Sequence, residues 1–309
     1  MRRVGAESRV ASSTYRFGLV TLVVTLFLVA VGGFTRGSGS GYGCAHQWPL
    51  CENGLLFGLL PRAEYHMIIE WSHRWLAASV GVLAVITAIS AWRHYRSGSV
   101  VVWSAAGAVV VIGIQAWVGR AVVRAQLDAD LVSLHLAVSM MVVALLVVVV
   151  VATRPGCREP GRDPTWVVLY GAGAVGSFLV LMLGSLVHNV YVPGWPLVFD
   201  ALIPEFVSRT VTIHFLHRLV VGVYAVFLAY LLVRLRSAGR PRLELTALAA
   251  AVILYAVNIG LGAVHVFTRV GSATLVAAHL ALATLVWTLT VATTASAALE
   301  DDYRKVGAG

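Results

Sequence analysis

Glu70-Trp71-Ser72-His73-Arg74 puts a carboxylate, an imidazole and a guanidinium at the mouth of a segment, roughly 66 to 92, that is otherwise apolar enough to span a membrane. A helix rises about 1.5 Å per residue, so Glu70 and His73, three apart, fall on one face roughly 5 Å from each other. Ionisable groups at such a depth need a partner or a task. The pattern recurs as His214-Phe215-Leu216-His217-Arg218, 144 positions later (217 − 73 = 144), with His214 standing where the first copy has Glu70.

Around these stretches the chain is 59% hydrophobic and only 12% charged over 309 residues, with a mean hydropathy of +0.84. That is more apolar surface than a soluble core of this size uses, and it predicts an integral membrane protein. Long apolar runs between short polar breaks favour α-helices over the alternating strands of a barrel. The expected spans are 16 to 35, 66 to 92, 99 to 121, 130 to 153, 166 to 189, 207 to 233, 244 to 267 and 273 to 298, eight helices in an all-α fold.

A net charge of +9 raises the question of nucleic acid, but the arginines are spread over loops that meet one leaflet. Arg2, Arg3, Arg9, Arg16, Arg93, Arg96, Arg154, Arg158, Arg162, Arg234, Arg236, Arg240, Arg242, Arg304 and Lys305 fall on one side, and the positive-inside rule makes that side cytoplasmic, both termini with it. The lipid bilayer, not nucleic acid, is the partner these charges imply. Arg36, Arg62, Arg120, Arg124, Arg209 and Arg269 fall on the other side. The first apolar segment runs longer than a signal-peptide core and ends in Gly-Gly-Phe-Thr-Arg without a small-x-small cleavage site, so it reads as a retained anchor in a plasma membrane.

Residues 32 to 51 form a glycine-rich loop on the outer side that carries Cys44 and Cys51. A disulfide, a pair of free thiols and half of a metal site are the competing readings; the last has no second cysteine pair to complete it. Cys157, in a cytoplasmic loop, reads as an ordinary reduced thiol. His66 sits near water, whereas Glu70 is a functional candidate weighed against simple interfacial solvation. The third helix carries Gly113, Gln115, Trp117 and Gly119, and Asp128 and Asp130 are candidate caps for the fourth. His135 follows among Leu134, Leu136, Ala137 and Val138, with no local polar partner.

The Pro/Gly/Arg-rich stretch near 154 to 164 breaks the chain in two. Trp48-Pro49-Leu50 returns as Trp195-Pro196-Leu197 and Ile112-Gly113 as Ile259-Gly260, both at an offset of 147, while His73-Arg74 returns as His217-Arg218 and His135-Leu136-Ala137 as His279-Leu280-Ala281, both at 144. Matches in register point to duplication, and an even number of helices per copy gives both halves one orientation. The expected organisation is a four-helix bundle over 1–153, a cytoplasmic linker over 154–165 and a second, pseudo-symmetric four-helix bundle over 166–309.

Each half then offers two histidines near the outer ends of its second and fourth helices. Two imidazoles from different helices, without a carboxylate or thiolate cluster, suit the axial positions of a haem iron better than zinc. His73, His135, His217 and His279 are therefore the candidate haem ligands; the bland alternative is a set of hydrogen-bonding structural histidines. Arg74 and Arg218 are candidates to meet haem propionates, or else they snorkel to the surface. His46, His94, His188 and His265 show no partner pattern.

Gly32-Gly33-Phe34-Thr35-Arg36-Gly37-Ser38-Gly39-Ser40-Gly41, then Cys44 to Cys51 around Trp48-Pro49-Leu50, then Glu70-x-x-His73-Arg74, resembles the haem A synthase family, and the resemblance covers essentially the whole chain. It implies that His73 and His135 embrace the substrate haem O, that His217 and His279 hold a haem b that passes electrons, that Glu70 is an active-site carboxylate, and that Cys44 and Cys51 are the outer-loop pair supporting activity. The implied reaction oxidises a methyl substituent of haem O to the formyl group of haem A, through hydroxylation and loss of water from a geminal diol, for terminal oxidase biogenesis. It also implies haem O synthase as donor and a separate electron-transfer partner, and leaves a homo-oligomer open. The residues support the division of labour, since only the N-terminal half has the acid and the cysteine pair. Some relatives carry a second cysteine pair in the later loop, and this chain does not. The residue types do not choose between oxygen activation on a haem iron and removal of electrons and a proton followed by attack of water.

Two other classes compete. A membrane di-haem b-type electron carrier leaves Glu70 without a task and has all four ligands near one face. A transporter built of repeated halves calls for Pro- or Gly-broken helices at the midplane, whereas this chain shows its polar groups at the outer ends.

Overall fold

A computed structural model describes residues 2–155, 164–187 and 191–299, with side chains from residue 13 onward. Cys157, Arg158, Arg162, His188, Arg304, Lys305, most of the central linker, and the side chains of Arg2, Arg3 and Arg9 lie outside the described residues.

The described chain is eight α-helices: α1 (Arg2–Gly37), α2 (Tyr65–His94), α3 (Val100–Arg124), α4 (Ala129–Thr153), α5 (Pro164–Val187), α6 (Arg209–Ser237), α7 (Arg242–Phe267) and α8 (Ala273–Ala298). All eight are long and apolar enough to cross a membrane. Among the described residues there is no strand, only single bridges at Leu55–Leu60 and Val198–Ala201 in the two long loops. The helix starts follow from chemistry at their first turns. Ser99, Asp128, Ser208 and Ser272 each accept a backbone N–H of the turn they precede, which satisfies donors that have no partner inside the helix. Asp128 caps α4, whereas Asp130 turns away to pair with Arg209. α1 starts at Arg2, well before the expected 16, because its basic flank holds no proline to stop it.

Each of α1 to α4 packs on the next and α4 returns to α1; α5 to α8 close in the same way, and α1, α4, α5 and α8 form the seam between the two rings. Leu22, Val29, Met140, Leu146, Leu181 and Val291 fill that seam, and Trp287 donates its indole N–H to the Met140 carbonyl at 3.1 Å. Glycines bring α1 and α8 close. A Cβ on Gly33 would stand 3.2 Å from the Ala277 Cα, and one on Gly37 2.9 Å from the Ala273 Cα, the small-xxx-small spacing of close membrane helix pairs. Lipid drives no apolar helix together, so polar side chains add to packing: Thr14 bonds Ser90 at 2.7 Å and Thr21 bonds Thr87 at 2.9 Å across α1 and α2. Val82, Trp92, Trp103, Trp117, Val168 and Val226 are exposed on helix flanks, as lipid-facing positions are.

At the end of the bundle opposite the long loops, Glu244 accepts the Tyr170 hydroxyl at 2.5 Å and Arg240 at 2.8 and 3.0 Å. Its side chain is 1% exposed, whereas Arg209 and Asp130 remain 68% and 58% exposed. Breaking a buried pair costs roughly 3–5 kcal/mol, whereas an exposed pair screened by water contributes little. Glu244→Ala is therefore expected to lower the thermal midpoint of the detergent-solubilised protein sharply, with Asp130→Ala close to wild type.

Candidate functional site

His73 and His217 project from α2 and α6, and His135 and His279 from α4 and α8, all near the ends that carry the long loops. α2 has 30 residues, about 45 Å at ~1.5 Å per residue against ~30 Å of hydrocarbon, so its first turns reach the interface. The structure brings the histidines together in the expected pairs: His135 lies within electrostatic reach of His73, and His217 of His279. In all four rings Nδ1 is buried and receives no hydrogen bond, yet the residues are only partly buried. The accessible edge of each ring is its Nε2 side.

Each Nδ1 edge rests on a glycine of the preceding helix. A Cβ would come within 3.2 Å of His73 Cε1 at Gly32, 3.1 Å of His135 at Gly119, 3.0 Å of His217 at Gly184 and 3.4 Å of His279 at Gly262. Gln115 steadies α4 by donating to the His135 carbonyl at 2.8 Å and to Ser139 at 2.5 Å. Imidazoles with one nitrogen buried against the neighbouring helix and the other edge left accessible fit axial ligation of haem iron. Among the described residues no cluster of His, Cys, Asp or Glu has the makings of another metal site.

Beside the first pair, Glu70 is 3% exposed. The backbone N–H of Cys44 donates to its Oε2 at 2.6 Å. Arg74 donates to its Oε1 through Nε at 3.1 Å and again through Nη2. The carboxylate thus ties α2 to the cysteine loop. That loop is pressed on the start of α2, where a Cβ on Gly43 would meet the His66 carbonyl oxygen at 2.2 Å. Cys44 and Cys51 are buried against Met67 and Trp71, with Cα atoms 4.3 Å apart and their sulfurs at bonding distance. The C-terminal half has His214, 5% exposed, in place of Glu70.

The arginines after the histidines tie the long loops to the helices. Arg74 Nη1 donates to the carbonyls of Gln47, Pro49 and Leu50 at 2.8, 3.2 and 2.9 Å. Arg218 donates to the carbonyls of Gly194 at 2.6 Å and Val192 at 2.8 Å, and to Leu197. Each clamps its long loop to the helix that carries the histidine.

The glycine-rich stretch after residue 32 is legible as packing. Gly32 seats His73, Gly33 and Gly37 seat α8, and Arg36 reaches across the seam to the carbonyl of Ser185 at 3.1 Å. Of the histidines without a pattern, His46 bonds Tyr42, His66 bonds Ser40 at 2.9 Å and His94 sits 3.4 Å from Ser90. His265 packs edge-on against His279 with ring centroids 5.4 Å apart. Sequence reasoning missed that neighbour because the N-terminal half has no histidine in register with it.

A family model described as cytochrome oxidase assembly protein matches residues 15–291. The chain is 26% identical over 288 residues to a protein named heme A synthase from Shouchella clausii, covering 89% of this chain and 93% of that one. It is 28% identical over 214 residues to a heme A synthase of Staphylococcus haemolyticus, covering 65% of this chain and 67% of that protein, and 35% identical over 124 residues to one of Bacillus licheniformis, covering 40% of each. With the match running from α1 through most of α8, the chain belongs to the cytochrome oxidase assembly protein family.

Proposed function

We propose that this protein is a haem A synthase that oxidises the methyl substituent of haem O to a formyl group. The observation that carries the reading is an asymmetry inside a repeat: both halves present a histidine pair on glycine seats, and only the first adds a buried carboxylate wired to a cysteine loop. His73 and His135 hold the substrate haem O, and His217 and His279 hold a haem b. Bound haem supplies the redox chemistry at iron. The chain's own residues do the rest: the imidazoles orient the haem planes, Glu70 holds or takes a proton at Oε1 or Oε2, Arg74 fixes that carboxylate, and the cysteine loop covers it against water.

The division is a substrate bundle over 1–153, a linker over 154–165 and a haem b bundle over 166–309, related by pseudo-symmetry. Cys44 and Cys51 form a disulfide in the loop. The arginine distribution supports a plasma-membrane protein with both termini cytoplasmic and the histidines toward the outer face. Haem O synthase as donor and a separate electron carrier complete the pathway in this reading, and self-association is open to it.

The test is haem extraction with mass analysis of the full-length protein purified after co-expression with a haem O supply. Haem b together with haem O and a formyl product is the expected result. Haem b alone in both halves overturns the enzyme and leaves a di-haem electron carrier.

A further inference from the structure

Four glycines on four different helices meet four histidines at one atom, Cε1. The glycine always lies on the odd-numbered helix and the histidine on the next: Gly32 with His73, Gly119 with His135, Gly184 with His217, Gly262 with His279. Glycines elsewhere on the same helices do not share the role; a Cβ at Gly113, Gly222 or Gly260 would meet nothing within 4 Å. Helix stability alone disfavours glycine by about 1 kcal/mol relative to alanine, so a glycine kept under each of four rings has a local reason.

The register supplies that reason. The backbone of Val180 lies near His217 and that of Asn258 near His279, short of a hydrogen bond to either Nδ1, and these residues stand four before Gly184 and Gly262 (184 − 180 = 4; 262 − 258 = 4). In a helix, the carbonyl of residue i−4 already accepts the N–H of residue i and keeps a second lone pair beside the Cβ of residue i. Removing that Cβ opens the lone pair to an imidazole from the neighbouring helix. The same step from Gly32 and Gly119 leads to the carbonyls of Leu28 and Gln115.

Resting on the haem reading above, we infer that Gly32, Gly119, Gly184 and Gly262 are positioning residues: each leaves room for Nδ1–H of its histidine, which makes no hydrogen bond in this structure, to close on the carbonyl one turn earlier when the ligand is bound, which would fix the tautomer and leave Nε2 for iron. A ligand whose second N–H is held by a carbonyl is oriented and made more basic. The seats are graded by clearance, tightest at Gly184 (3.0 Å) and loosest at Gly262 (3.4 Å), which gives an order of sensitivity within the haem b half.

The test measures haem per protein, the low-spin electron paramagnetic resonance signal of the C-terminal haem, and the thermal midpoint. It uses the full-length protein as wild type, Gly184→Ala, Gly184→Leu, Gly262→Ala and Gly260→Leu. Gly184→Leu is expected to lose haem about tenfold or more, the scale of losing a group that orients a metal ligand. Gly184→Ala keeps haem with shifted g values, Gly262→Ala shifts them by less, and Gly260→Leu matches wild type. Because a leucine at Gly184 can also disturb the helix pair, the Gly184→Ala spectrum carries the decision. An unshifted spectrum there, in a haem-loaded wild type, overturns the seats and leaves the haem reading standing; a shift of equal size in Gly260→Leu overturns them also. A wild type without haem in its C-terminal half overturns both.

Discussion

Glu70→Gln is expected to slow conversion of haem O by about 10²-fold or more, as for removal of a general acid or base, while the haem we propose for His217 and His279 is retained. The substitution looks conservative, and the geometry says why it is not. Glu70 Oε2 accepts from the Cys44 N–H at 2.6 Å and Oε1 accepts from Arg74. An ionised carboxylate offers acceptors on both sides; an amide must turn its NH2 toward one of two donors. Either orientation leaves a buried donor unpaired, at a cost of about 1–3 kcal/mol. The variant thus removes a proton carrier and loosens the cysteine loop together. Susceptibility of the 44–51 loop to thiol reagents after mild reduction separates the two effects. Lost turnover with a loop as protected as wild type assigns Glu70 to proton handling, and lost turnover with an opened loop assigns it to holding the loop. Full turnover in Glu70→Gln removes it from the site.

How much of this was legible in the residues differs between fold and site. Eight spans were readable because about 20 apolar residues are a strong signal, and the starts at Ser99, Asp128, Ser208 and Ser272 follow from caps one residue outside them. The histidine pairs were readable because the repeat kept His73 and His135 in register with His217 and His279. The glycine seats were not, since each joins residues on two different helices, from 16 (135 − 119) to 41 (73 − 32) positions apart, and the helices hold many glycines with no such task, Gly113 among them. The arginine clamps were not legible for a similar reason. Spacing along α2 shows that Arg74 lies near His73, but only the fold shows the long loop descending beside that helix with carbonyls of Gln47, Pro49 and Leu50 turned toward it. A guanidinium offers five donors in a fixed fork, and a loop with unpaired carbonyls takes them as readily as a propionate does.

The two arginine clamps make unequal demands, and the inequality is the second large effect. Arg218→Ala is expected to free the carbonyls of Val192, Gly194 and Leu197. Those groups sit near the end of the bundle, where water reaches them, so the loss amounts to a few hydrogen bonds at about 1 kcal/mol each. Arg74→Ala frees a comparable set and also strips the counter-charge from Glu70, whose side chain is 4% exposed beside an arginine 12% exposed. An uncompensated buried charge costs roughly 3–5 kcal/mol, unless the carboxyl takes up a proton, and a protonated Glu70 offers the Cys44 N–H a poorer acceptor. Thermal unfolding in detergent is therefore expected to show Arg74→Ala lowered well beyond Arg218→Ala. The double variant Glu70→Gln with Arg74→Ala should recover part of that loss, because the orphaned charge has gone. Equal losses at the two arginines, or no recovery in the double variant, would mean that Glu70 and Arg74 are not an energetically coupled pair. The repeat would then have kept its arginines for the loops alone, with His214 and Glu70 interchangeable beside them.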